Sequence, residues 1–205
     1  MTIPRPSRGD GLALGLIATG AVSVAIAALV SIVLGAIELF GTDVSVRMPV
    51  HDAAAAGLAG TAGITSAEYS SVVLTFEAAP QGARWLLLLE GALPALATIG
   101  VCTGAWWLGL SLMRGRPFRR SMAWTLGAAA ILVMVGGMLG QLFGAFGRAA
   151  LVAHVAASDP GVLDELWTFL LELDLAPLGW GLALALIAGA FEIGRRIQRD
   201  TEGLV

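Results

Sequence analysis

Four long apolar segments separated by polar stretches dominate the pattern: about Leu12 to Phe40, Trp85 to Met113, Met122 to about Phe146, and about Leu175 to Ile193. As helices, all four are long enough to cross a hydrocarbon core, which takes roughly 17–25 residues. The first has Arg5 and Arg8 on its N-terminal side, as a secretory signal would. It is too long for one, since signal cores span roughly 7–15 residues, and no small-residue cleavage site follows. It reads as an uncleaved span. The second and third segments are separated only by residues 114–121, around RGRPFRR, too short for a folded domain. Gly115 and Pro117 break the helical pattern there, so a tight turn joins two antiparallel helices.

Two polar regions carry patterns of their own. Residues 43–50, DVSVRMPV, alternate strictly, with Val44, Val46, Met48 and Val50 on one face, and residues 70–77, SSVVLTFE, are rich in β-branched and aromatic side chains. Both read as strands. Two strands alone are marginally stable, so the element must pack on helix ends or on a partner. In SDPGVLDELWTFLLELD, Asp159 and Pro160 suit a helix start, and Leu163, Leu166, Leu170 and Leu173 follow at helical spacing, with Asp164, Glu165 and Glu172 toward another face. A short interfacial helix, or an outward extension of the fourth span bent by Pro177, is expected.

Composition agrees with a lipid solvent. Of the 205 residues 57% are hydrophobic and 13% charged, against about 25% charged in soluble domains. All twelve basic residues are arginine, a bias expected of a GC-rich bacterial genome. With the 114–121 turn in the cytoplasm, nine arginines lie inside (Arg5, Arg8, Arg114, Arg116, Arg119, Arg120, Arg195, Arg196, Arg199) and three outside (Arg47, Arg84, Arg148). The positive-inside rule then puts both termini in the cytoplasm of a bacterial plasma-membrane protein. Trp85 and Trp180 fall near outer span ends, and Trp106, Trp107 and Trp124 near inner ones, as interfacial belts require. The expected fold is an all-α membrane protein: a single domain, 1–205, forming a four-transmembrane-helix bundle. Outer loops would cover 41–84 and 147–174, with a small extracytoplasmic β element in the first.

Glycines at four-residue spacing let helix backbones approach closely. Gly136, Gly140 and Gly144 mark the third span, Gly100 and Gly104 the second, and Ala185 and Gly189 the fourth. Packing within the bundle is the expected use, with homo-oligomerisation as the alternative.

Candidate chemistry is sparse. Glu38 and Glu192 lie near span ends, but Glu90 is about 7–8 Å deeper than Trp85 at helical rise, with Pro94 one turn on to loosen the helix. An intramembrane acid is a functional candidate by default. Glu90 is either an ion or proton site or a structural partner of Arg84 or Arg148. His51 and His154 match no metal-binding spacing, so no metal or cofactor is expected. No nucleophile elbow, zinc-protease helix or phosphate loop is present, so the chain does not read as an enzyme. Cys102 is the only cysteine, which rules out an intramolecular disulfide.

Residues 115–118, GRPF, between the second and third spans, and the C-terminal stretch with Phe191, Gly194 and the polar tail Asp200 to Val205, resemble the bacterial membrane family called domain of unknown function 2975. The resemblance extends from the first span to the last residue. One departure is visible: members often carry Asn and further basic residues after the Pro-Phe, where this chain reads Arg119-Arg120-Ser121-Met122-Ala123. The resemblance implies four spans and no established enzymatic activity. Genes of the family often neighbour those of small helix-turn-helix regulators, which implies a membrane partner for a transcription factor.

The expected function is therefore that of an accessory or regulatory inner-membrane protein. Arg114, Arg116, Phe118, Arg119 and Arg120 would contact anionic lipid or a cytoplasmic regulatory protein. Direct nucleic-acid binding is not expected, because the turn offers charge without a groove-reading element. The alternative is a small oligomeric transporter or channel, resting on Glu90 and the glycine spacing.

Overall fold

The computed structural model describes residues 8–54, 68–113 and 120–202. The element order is α1 (Arg8–Leu39), β1 (Val44–Ala54), β2 (Glu68–Phe76), α2 (Gln81–Met113), α3 (Arg120–Ala156), α4 (Val162–Glu165) and α5 (Ala176–Glu202). Four of the helices hold stretches long and apolar enough to cross a membrane: Gly15–Leu39, Gln81–Leu110, Ala123–Ala156 and Ala176–Ile197. These match the four apolar segments, and β1 and β2 match the two patterned strands.

The chain divides into two compact units. A helical unit comprises Met1–Ile32, Ala92–Leu139 and Asp174–Val205, and a mixed unit comprises Val33–Gly91 and Gly140–Leu173.

In the helical unit, α2 and α3 run antiparallel, as the short turn predicts. A β-carbon on Gly136 would lie 3.2 Å from the Leu93 carbonyl oxygen, and one on Gly100 would lie 2.8 Å from a Leu132 methyl. Gly104 lies against Thr125. Pro94 does not interrupt α2; the Thr98 hydroxyl donates to its carbonyl at 2.9 Å. The fourth helix departs from expectation. Ala185 and Gly189 are exposed, and space around Gly189 is open. The packed stripe is instead Pro177, Gly181, Leu184 and Ala188, at the three- and four-residue steps of one helix face. Pro177 rests on Gly137, and Gly181 on Met134 and the Ala130 carbonyl. Pro177 introduces no bend, because in the first turn of α5 its missing N–H has no intrahelical partner to lose.

In the mixed unit, β1 and β2 form an antiparallel hairpin in which Val44 faces Phe76, Val46 faces Leu74 and Met48 faces Val72. Val44, Val46 and Met48 are buried, as their alternation predicts, against Ala83 and Leu87 of α2 and Leu151 and Val152 of α3. The hairpin thus gains the support it lacks alone. Ser45 and Thr75 hydroxyls pair across the other face at 3.0 Å. Arg84 ties the end of α1 to the start of α2: its Nη1 donates to the carbonyls of Leu39 (3.0 Å) and Gly41 (2.8 Å), and its Nε to that of Ala79 (3.1 Å). The Leu39 carbonyl is one of those that the end of α1 leaves without an intrahelical partner. Phe40 and Trp85 stack edge-on beside it, 4.8 Å between centroids.

Two boundaries differ from the sequence reading. The third helix continues ten residues beyond Phe146, through Ala156. The segment after it holds only one helical turn, and the leucine spacing from 163 to 173 does not form a helix. Leu166 is extended and bridges to Val50, Phe169 packs on Phe146 at 5.4 Å, and Leu163 and Leu173 are exposed. Pairing of Leu166 with β1 and its burial in the core outcompete local helix formation here. Asp159 does not cap α4 directly; its Oδ1 accepts from the Gly161 N–H at 3.0 Å, one position before the helix.

Candidate functional site

The mixed unit holds a polar cleft of about 360 Å³, assembled from four parts of the chain. On α3, Gln141, Gly144 and Arg148 occupy one face, at steps of three and four residues. The glycine between the two polar residues is what admits Glu90. A side chain on Gly144 would occupy the volume of the Glu90 carboxylate. Arg148 Nη1 donates to both carboxylate oxygens, at 2.8 and 3.1 Å. The side chains of Arg148 and Glu90 retain 24% and 35% of their exposure, so the pair is accessible from the cleft.

The hairpin supplies the second wall, for a reason visible in β1. Pro49 lacks the N–H that would continue the ladder, and strands tolerate proline at edges and irregularities. Regular pairing stops at Pro49↔Ser71 and resumes at Ala53↔Tyr69, so three residues of β1 oppose Ser70 alone. Arg47, Pro49, Ser70 and Ser71 line the cleft at this irregularity. Val50, released from β2, forms its bridge with Leu166 instead. That bridge places the 166–173 segment beside the hairpin, and Leu170 and Glu172 complete the lining. Two arginines and two glutamates give the cleft no net formal charge.

Of the two structural partners considered for Glu90, Arg148 is the one it finds; Arg84 serves the helix ends. Glu192 pairs with Arg195, one turn along α5, and Glu38 is exposed. Arg114, Arg116, Phe118 and Arg119 lie outside the described residues, as does the Arg120 side chain at the start of α3. His154 is exposed, and the His51 side chain is outside the described residues. Among the described residues no group of three His, Cys, Asp or Glu side chains could hold a metal ion.

Nothing in the sequence marks Arg47, Ser70, Ser71 or Glu172 as residues of one site. Arg47 had one signal: it is the charged residue on the odd-numbered face of a strand whose even-numbered face is apolar.

No family model, curated protein or solved structure matches the chain.

Proposed function

We propose that the chain is a four-span protein of a bacterial plasma membrane, acting as an accessory or regulatory component that binds a small polar ligand in the Glu90–Arg148 cleft. The cleft is the observation that carries this reading. It gathers four charged side chains and two serines around a volume at the lower end of the range for small-molecule sites.

The membrane assignment is supported by what the long helices leave uncovered. Leu16, Ile26, Leu29, Leu34 and Ile37 of α1 are all more than half exposed, far more apolar surface than a water-soluble chain presents. Trp85, Trp106, Trp107, Trp124 and Trp180 are exposed as well, as interfacial side chains are. The arginine distribution supports cytoplasmic termini, which would put the hairpin and its cleft on the outer side. The arginine-rich turn between α2 and α3 would then meet anionic lipid or a soluble regulatory protein on the inner side. A regulatory reading is preferred to transport. Two cavities lined by described residues of the helical unit, about 270 and 410 Å³, are apolar; Asp174 is the one charged side chain lining either of them. A conduction path needs polar lining.

Two measurements on the full chain test this. Protein extracted with its native lipid and analysed by native mass spectrometry should carry a small polar molecule that is lost in Glu90→Leu. Equal loading of both proteins would count against the cleft. A photo-crosslinker at Phe118 in native membranes should capture a soluble regulator; lipid adducts alone would reduce the turn to an orientation anchor.

A further inference from the structure

We infer that the cleft selects a small zwitterion, one molecule presenting both an ammonium and an anionic group; this rests on the ligand-binding reading above. The argument is one of charge accounting within the cleft. Glu90 and Arg148 neutralise one another through two hydrogen bonds. Arg47 and Glu172 remain, one of each sign, on separate structural elements: Arg47 on β1 and Glu172 on the segment after α4. Neither forms an ion pair with a described residue. Both are exposed at the rim of the cleft, so an anion alone would still meet the like charge of Glu172, and a cation alone that of Arg47. A ligand with both charges satisfies both side chains at once.

The neutral lining fits the same class. Ser70 and Ser71 offer hydroxyls that can donate to an anionic group beside Arg47. Pro49 and Leu170 provide an apolar wall for the carbon skeleton joining the two charges. Arg148 engages Glu90 through Nη1, so its Nε and Nη2 are not committed to that contact.

Two sources present this chemistry, a free amino acid and the phosphoethanolamine headgroup of a lipid. The experiment uses the full chain in nanodiscs of phosphatidylglycerol, which carry no zwitterionic lipid. The probes are the twenty standard amino acids, γ-aminobutyrate and glycerophosphoethanolamine, with butyrate and butylamine as singly charged controls at matched ionic strength. Binding is read by calorimetry. At least one zwitterion should bind ten-fold or more tightly than either control. Arg47→Gln and Glu172→Gln should each remove that preference with opposite sign: Arg47→Gln leaves butylamine as good a ligand as the zwitterion, and Glu172→Gln does so for butyrate. Unliganded unfolding midpoints check that both variants fold, with Arg47→Lys and Glu172→Asp as milder replacements. Glycerophosphoethanolamine as the preferred probe assigns a lipid source, and an amino acid assigns a soluble one; both support the class. Butyrate binding as tightly as any zwitterion, unchanged by Glu172→Gln, overturns the zwitterion while leaving a ligand-binding cleft. Binding by none of the probes also overturns it, and the mass-spectrometric comparison of wild type with Glu90→Leu decides the cleft separately.

Discussion

Gly144 of α3 lies directly against the carboxylate of Glu90 on α2, so that a β-carbon at 144 would overlap the Glu90 Cδ and both of its oxygens. The absence of one methyl group sets the position of the charged pair. Gly144→Ala should therefore displace Glu90 from Arg148 and destabilise the protein by about 1–3 kcal/mol, the usual range for overpacking. The unfolding midpoint in detergent measures this. In a Glu90→Ala background the same substitution should cost much less, because the obstructing side chain is gone.

The Glu90–Arg148 pair should show clear thermodynamic coupling. Removing either partner leaves a partly buried charge without its mate, which costs more than removing both. A double-mutant cycle with Glu90→Leu and Arg148→Leu should return a coupling energy of about 0.5–3 kcal/mol. A double variant whose loss equals the sum of the single losses would show that the contact is energetically idle.

Arg84 should matter through geometry as well as charge. Its guanidinium reaches three carbonyls from two directions, and hydrogen bonds from charged donors contribute about 1.5–3 kcal/mol each. Arg84→Met should lower the unfolding midpoint and raise hydrogen exchange in the last turn of α1. Arg84→Lys should fail to restore either, since an ammonium lacks the planar fork that spans separate acceptors.

Two glycines of α5 should respond oppositely to the same change. Gly181→Ala would put a β-carbon 2.9 Å from the Ala130 carbonyl oxygen, where backbone cannot yield easily, and should cost about 1–3 kcal/mol. Gly189 has open space around it. Gly189→Ala should be neutral or stabilising by up to about 1 kcal/mol through helix propensity. Unfolding midpoints of the two variants, compared directly, check the placement of the packed face.

The four long helices and the hairpin were legible because each depends on a local pattern: apolar runs of spanning length, and period-two alternation at Val44, Val46 and Met48. The sequence narrows the partner of Glu90 to two arginines, because Arg84 lies shortly before it on the same segment and Arg148 at the outer end of the next one. Other features depend on contacts between distant residues. Arg148 resembles the polar end of a span, yet it turns toward Glu90 and the helix continues past it. Spacing alone could not choose between the Ala185–Gly189 and Gly181–Ala188 faces, since both are small-residue stripes; the ring of Pro177 against Gly137 and the Ala130 carbonyl decide it. The cleft was least legible of all. The place of its Glu172 follows from the interruption of the ladder at Pro49 and from the pairing of Val50 with Leu166, two residues more than a hundred positions apart.

The three-carbonyl contact of Arg84 has a consequence for how this chain can change over evolutionary time. It fastens together the two places where residues 42–78 leave and rejoin the helices, so the junction does not depend on the length of chain between them. Closing a longer connection is cheap, about 0.6 kcal/mol for each doubling. The base of residues 42–78 is thus clamped independently of their length: relatives of this protein could carry a longer or differently decorated insert at this point while Leu39 and Arg84 keep the same relation to one another, provided the insert still covers Ala83, Leu87, Leu151 and Val152 with an apolar strand face.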